Sequence, residues 1–223
     1  MSLAIAAAFG GLLGGMQEAC AGDFYVGVGV GQATTNVDNG YYSSQAQSMW
    51  TAAGATFLNT GSGISSSTSK RRDTATRLIA GFQINPTWAI EAQYVDFGKT
   101  KVDFSGQIDG PEGVSGTGET KTDGFGIAGV ATLPVSPNFS LIAKVGVFDW
   151  KRKFNANMLS TSTSTIPPGA LSANSSKRGT DPFYGIGLKY DFSKSVGVQV
   201  DWEQYKMDGG DPSLLSASLI WKF

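Results

Sequence analysis

Leu214-Leu215-Ser216-Ala217-Ser218-Leu219-Ile220-Trp221-Lys222-Phe223 ends the chain, and its side chains sort at period two. Leu215, Ala217, Leu219, Trp221 and Phe223 share one face; Ser216, Ser218, Ile220 and Lys222 share the other. That alternation belongs to a β-strand. Working outward, the same pattern recurs upstream, with apolar faces Val196/Val198/Val200/Trp202, Tyr184/Ile186/Leu188/Tyr190/Phe192, Phe139/Leu141/Ala143/Val145/Val147 and Phe125/Ile127/Gly129/Ala131/Leu133. Trp88/Ile90/Ala92/Tyr94, Leu78/Ala80/Phe82/Ile84 and Phe24/Val26/Val28/Val30 complete the set. Eight strands, each with one apolar face and no helical layer to cover it, predict an all-β chain: a closed eight-stranded antiparallel up-and-down transmembrane β-barrel, apolar side toward lipid.

The charges support that orientation. None of the outward positions is charged, whereas the inward ones carry Arg77, Lys144, Lys189 and Lys222 against Glu91, Asp191, Asp201 and Glu203, one sign balancing the other. A cation on the lipid face at mid-bilayer costs about 2–4 kcal/mol, so its avoidance has a physical cause. A soluble ligand-carrying barrel would reverse the faces and line its cup with apolar groups. Here the inward positions are Gly, Ala, Ser, Gln and paired charges. The mean hydropathy of −0.07 resembles a soluble protein only because half of each strand need be apolar.

The chain has 223 residues, 30 of them Gly, a net charge of −1 and no histidine. That composition fits one all-β domain and disfavours both nucleic-acid binding and a pH switch near neutrality. The apolar run from Leu3 to Leu13, followed by Ala19-Cys20-Ala21, predicts a secretory signal over residues 1–21, cleaved after Ala21. Residues 22–223 would then be the barrel, with no cysteine left for a disulfide. Between strands, polar stretches at residues 32–73, 98–123, 151–181 and 206–213 alternate with tight turns at Asn85-Pro86, Pro134 to Asn138 and Ser193 to Ser195. Four long loops at one end and short turns at the other are the expectation.

The residues Arg77-Leu78-Ile79-Ala80-Gly81-Phe82-Gln83-Ile84-Asn85-Pro86 followed by Ala89-Ile90-Glu91-Ala92-Gln93-Tyr94 resemble the second hairpin of the OmpA-type outer-membrane barrel family. The stretch from Leu141 to Lys151 and the ending from Leu214 to Phe223 are similar to further parts of that pattern. The resemblance implies the outer membrane of a Gram-negative cell, both chain ends in the periplasm and long loops at the cell surface. It also implies a signal for the barrel-assembly machinery, a role falling to Trp221 and Phe223. Full-length OmpA carries a peptidoglycan-binding domain after its barrel; here the transmembrane barrel alone is expected.

Small outer-membrane barrels that are enzymes use a histidine base, so its absence predicts no enzyme activity, and no metal or cofactor is expected. An eight-stranded barrel is just wide enough to be filled by side chains. The expected pairs are Glu91 with Lys144 or Arg77, and Asp201 with Lys189, Glu203 joining the same network, since an unpaired buried charge is costly. Such pairs stabilise the core; exchange of partners would make a narrow gated channel. Lys70, Arg71 and Arg72, then Lys151, Arg152 and Lys153, and Lys177 with Arg178 stand where strands should meet the outer leaflet, as candidate lipopolysaccharide contacts. Outer-membrane lipid is the expected surrounding. The long loops leave an adhesin binding a host or matrix ligand as a further alternative.

Overall fold

A computed structural model describes residues 23–52, 63–107, 113–160 and 169–223. The described residues form β1 (Asp23–Val37), α1 (Asn39–Ala52), β2 (Gly63–Lys70), β3 (Arg72–Gln83), β4 (Trp88–Gln107), β5 (Gly113–Ser136), β6 (Phe139–Ser160), β7 (Gly169–Asp191), β8 (Val196–Tyr205) and β9 (Gly210–Lys222). The expected signal, residues 1–21, lies outside them.

The eight apolar-faced strands close into one antiparallel ring, in the order β3-β1-β9-β8-β7-β6-β5-β4 and back to β3. The last strand meets the first in register from Tyr25↔Lys222 to Val37↔Gly210, and the Phe223 amide donates to the Phe24 carbonyl at 2.9 Å. Closure leaves no open edge in hydrocarbon, where an unpaired backbone group would be expensive. At one end the turns are tight because side chains supply the missing acceptors. Asn85 Oδ1 takes the amides of Thr87 and Trp88, and Ser193 Oγ those of Ser195 and Val196.

The faces stand as the period requires. Phe125, Ile186 and Val145 point outward with about two thirds of their surface uncovered, while Arg77, Glu91, Lys144, Asp201 and Glu203 are buried inside. Outward aromatics gather in two bands. Phe24 with Phe82, Trp88, Tyr190 with Phe192, Trp221 and Phe223 lie toward the tight turns, and Tyr94 with Phe125 and Tyr184 with Trp202 lie toward the other end. Interfacial girdles of this kind bracket a lipid-facing belt.

Three of the four polar stretches are not the loops the sequence suggested. β4, β5, β6 and β7 run for 20, 24, 22 and 23 residues, roughly twice the 9–11 needed to cross a bilayer. Residues 99–107 pair with 113–121, and 151–160 with 169–178. The physical reason is a change of parity. Along β6 the outward side chains are Leu141, Ala143, Val145 and Val147, then Asp149, Lys151, Lys153, Asn155 and Asn157. The inward ones pass from Ile142 and Lys144 to Phe148, Trp150, Phe154, Ala156 and Met158. The alternation never breaks, but the apolar set moves from the outer to the inner face once lipid gives way to water. β4 makes the same change across an irregularity at residues 96–99, where Gly98 takes φ +73°, a left-handed backbone natural to glycine.

β2 continues the line of β3 along β4, with Arg71 as the break between them. The result is a wall of β2, β4, β5, β6 and β7 rising beyond the ring on one side. The stretch after β1 holds the unexpected helix α1. Asp38 caps it, accepting the Tyr41 amide at 3.1 Å, and Tyr42, Ala46 and Trp50 recur at i, i+4 and i+8 on its buried stripe. That stripe packs against Ile64, Val102, Phe104, Val114, Phe154, Ala156 and Met158, the inward residues of the wall. Tyr42 Oη also receives the Thr120 hydroxyl at 3.3 Å.

Candidate functional site

The interior is stacked in layers. Nearest the tight turns, Tyr25, Ile79, Ala89, Val130, Ile142 and Ile220 form an apolar floor. Above the charged layer, Phe97, Phe148, Trp150, Phe183, Tyr205, Met207 and Leu214 form an aromatic-rich ceiling. Its rings interlock, with centroids 4.9 Å apart for Phe97–Tyr205 and Phe148–Tyr205 and 5.1 Å for the stacked Phe183–Tyr205 pair.

Between them sits one connected charge cluster drawn from six strands. The Arg77 guanidinium donates to Asp201 at 2.9 Å, Glu203 at 2.8 Å, Glu91 at 3.1 Å and the Ser216 hydroxyl at 3.3 Å. Lys144 Nζ lies 2.6 Å from Glu91 and 3.6 Å from both Asp201 and Glu203. Two cations thus face three carboxylates. Neutral donors join it: Tyr25 Oη to Glu91, Tyr205 Oη and Gln93 Nε2 to Glu203, and Gln199 Nε2 to Asp201, while Asp201 Oδ1 and Arg77 Nε are left without a hydrogen bond among the described residues. β3 and β4 bring Arg77 and Glu91 onto the same face as β6 brings Lys144 and β8 brings Asp201 and Glu203. Small residues make the room: a Cβ on Gly81 would run into the Tyr25 ring, and one on Gly185 would meet Glu203 Cγ at 2.6 Å.

The expected pairing of Glu91 therefore holds for both Lys144 and Arg77. The expected pairing of Asp201 with Lys189 does not. Gln199 stands opposite Lys189 across β7 and β8 and bonds Asp201 itself, which Arg77 and Lys144 also reach. Lys189 turns instead to the Tyr25 ring, 5.7 Å from its centroid. Lys222 and Asp191 make a separate pair at 2.6 Å nearer the turns. Tyr25, Gln93, Gln199, Tyr205 and Ser216 are the members that sequence reading missed. Their signal was present, since all are polar residues at inward parity.

The eight basic residues proposed to meet lipid separate into different settings. Lys151, Lys153 and Arg178 point outward just beyond the upper aromatic band, with Lys151 directly opposite Arg178 across β6 and β7. Among the described residues no carboxylate pairs with these three. Arg71 and Arg72 are exposed at the break between β2 and β3, and Lys70 is the last residue of β2. Arg152 has the wrong parity for a lipid contact: it is buried inside and clamps the turn between β8 and β9, bonding the Asp208 and Gly210 carbonyls and Thr122 Oγ1 over the Trp150 ring. Lys177 is held at the mouth by Asp208 at 3.1 Å and lies over Tyr41.

On the wall, Lys121 donates to Asp96 at 2.9 Å, and this bond holds its ammonium above the ordinary lysine range. Among the described residues no group of His, Cys, Asp and Glu is arranged to hold a metal ion.

The family model described as "OmpA-like transmembrane domain" matches residues 19–215. Among solved structures, the chain is similar to Ail, the attachment invasion locus protein of Yersinia pestis, at 14% identity and a TM-score of 0.49, covering 92% of this chain and 100% of that one. It is similar to Neisserial surface protein A at 11% identity and TM-score 0.49, covering 90% and 97%. For the outer membrane protein OprG of Pseudomonas aeruginosa the figures are 10% identity, TM-score 0.49 and coverage of 91% and 96%. No curated protein sequence matches the chain.

Proposed function

Because the chain belongs to the OmpA-like transmembrane domain family, and is a β-barrel of the bacterial outer membrane, we propose that its role there is structural and surface-interacting rather than catalytic. The observation that carries this reading is the filled interior. A solute would have to displace an apolar floor, a buried ion-paired cluster, an interlocked aromatic layer and the α1 cluster in turn. The polar work of the molecule is left to the wall and mouth, with the long-strand end at the cell surface and the tight turns in the periplasm. Liposome flux tests it: protein refolded into vesicles should leave ions and small sugars trapped, and release of either would overturn the reading.

One observation favours a narrow gated channel as the second reading. Lys144 already lies within 3.6 Å of all three carboxylates, so it can change partner with little motion. Partner exchange alone leaves the aromatic ceiling closed, which places this reading second. Conductance in planar bilayers that rises in Glu91→Ala and Lys144→Ala variants would favour it. An adhesin acting through the wall and loops is compatible with the first reading.

Lys151, Lys153 and Arg178 are the residues we assign to lipopolysaccharide phosphates. They continue the lipid-facing surface of β6 and β7 into water, and their charge has no partner of its own among the described residues. Neutralising all three should release bound lipopolysaccharide, whereas Arg152→Met should not act by this route. Trp221 and Phe223, exposed on the strand that closes the ring, suit contact with the barrel-assembly machinery. Substituting both should lower assembled barrel in cells without changing refolding in detergent.

A further inference from the structure

The wall ends in a bare sheet edge. β7 pairs with β6 from Tyr190 up to Gly169, but β8 accompanies it only as far as Phe183↔Tyr205. Beyond that point no described strand lies on its other side. The direction of its free backbone groups can be counted. The Asp191 amide donates to the Asn138 carbonyl at the start of β6, whereas the Pro182 carbonyl accepts from Lys206 at the end of β8. β7 runs between these marks without a bulge, so odd-numbered residues bond β6 and even-numbered ones aim amide and carbonyl the other way. The backbone groups of Ala170, Ser172, Asn174, Ser176, Arg178 and Thr180 therefore face the open edge.

An edge of this kind is ordinarily blunted by proline, charge, a bulge or a cover. Residues 169–176, Gly-Ala-Leu-Ser-Ala-Asn-Ser-Ser, contain neither proline nor charge, and their pairing with β6 is regular. Side chains of both parities are exposed there, at Ser172, Asn174, Ser175 and Ser176. The strand at the other side of the wall is held differently: Ser66 Oγ and Thr68 Oγ1 tie β2 to Asn39 of α1 at 2.7 and 3.0 Å.

Charge placement selects the occupant. Lys177 and Arg178 are the only charged residues from 169 to 180, and both stand toward the membrane end. A second β7 related by a two-fold axis at Ser175 sets Ser172 opposite Arg178 and Asn174 opposite Ser176. Like charges then stay apart, and even-numbered residues meet as the hydrogen-bonded pairs of an antiparallel ladder. Parallel pairing in register would stack Lys177 on Lys177 and Arg178 on Arg178. Copies in one membrane share their strand direction, so an antiparallel partner stands in a facing membrane. We infer that the β7 edges of two copies in facing outer membranes pair antiparallel about Ser175, joining one cell to another by an isologous contact. This deepens the surface-interacting reading and rests on the wall standing outside the cell.

The test uses two populations of phospholipid vesicles, labelled with different fluorophores and carrying the refolded protein. Clustering is expected when both populations carry it and not when one does. Asn174→Pro removes an edge amide without touching the β6 ladder and should weaken clustering about tenfold or more, one bond being lost in each copy, whereas Asn174→Ala should leave it unchanged. Oxidation reads the register. Opposed residues outside the hydrogen-bonded pairs have Cα atoms about 4.5 Å apart, within the reach of a disulfide. Ser175→Cys should therefore give a disulfide-linked dimer between vesicles, and Ser172→Cys, facing Arg178, should not. Absent clustering, clustering with protein on one side alone, indifference to Asn174→Pro, or equal linking of Ser172→Cys would each overturn the inference. Orientation is read separately, by labelling Ser175→Cys on intact cells with a membrane-impermeant maleimide against the unsubstituted protein. No added label sinks the outward reading itself, whereas labelling without clustering sinks the pairing alone.

Discussion

Replacing Arg77 by methionine removes the hub of the charge cluster while keeping most of its apolar bulk. Arg77 is 2% exposed and reaches three carboxylates at 2.8, 2.9 and 3.1 Å. Without it, Lys144 alone faces Glu91, Asp201 and Glu203, and the Ser216 hydroxyl loses a donor. Removing one partner of a buried ion pair costs about 3–5 kcal/mol, chiefly because the other charge stays behind uncompensated. Against the roughly 5–15 kcal/mol typical of a domain, that is a large share. Adding Glu203→Gln to Arg77→Met restores the original excess of one carboxylate, so part of the loss should return. The coupling between the two sites should exceed about 1 kcal/mol, as expected for residues in one network. Lys189→Met is the control, since its contact with Tyr25 is worth only about 0.5–1 kcal/mol. Urea unfolding in lipid vesicles, followed by tryptophan fluorescence, measures the wild type, Arg77→Met, Glu203→Gln, the double variant and Lys189→Met. A loss below about 1 kcal/mol for Arg77→Met, or an equal loss for Lys189→Met, would refute the reasoning.

Other outcomes follow from the same geometry. Ile186→Lys places a cation in the lipid belt and should cost about 2–4 kcal/mol in vesicle refolding, whereas Ser176→Lys, beyond the belt on the same strand, should cost almost nothing. Trp50→Ala removes a ring that is 2% exposed from the α1 cluster. Limited proteolysis should then cut α1 early, while the unfolding midpoint of the ring hardly moves. The Lys121–Asp96 pair gives a pH dependence: the bond raises the folded-state value of Lys121 above the ordinary 10.5. Its contribution is therefore whole below that pH and is lost as pH rises through the folded value. Proteolysis of the β4–β5 hairpin should quicken in that alkaline range, and in Lys121→Gln it should be quick throughout.

The transmembrane part was legible because lipid imposes one rule on every strand, apolar outward, and period two carries it without interruption. The wall was not, for a reason visible in Val102, Phe104, Phe154, Ala156 and Met158. Above the lipid these apolar residues occupy the inward parity, so a reading that fixes one outward frame sees polar Lys101, Asp103, Lys153 and Asn155 and stops the strand. Arg152 was misread for the same cause: as one of three adjacent basic residues it looks like a surface charge, and only the parity of its neighbours Trp150 and Phe154 turns it inward. The helix α1 left a fainter trace. Its stripe is Tyr42, Ala46 and Trp50 amid Ser and Gln, and the cap at Asp38 was its clearest sign. The inward charges were found by parity, but which carboxylate Lys189 would meet depended on Gln199, a register detail that no single strand reveals.

Spin labels attached at Val145, Ile186, Leu219, Lys153 and Ser176, one at a time in the barrel embedded in bilayers, test the central claim most directly. Relaxation by oxygen should dominate at Val145, Ile186 and Leu219, and relaxation by a water-soluble nickel chelate at Lys153 and Ser176, with the change along β6 falling beyond Val147. Water at the first three positions, or lipid at the last two, would contradict an apolar exterior that reverses its parity at the membrane surface.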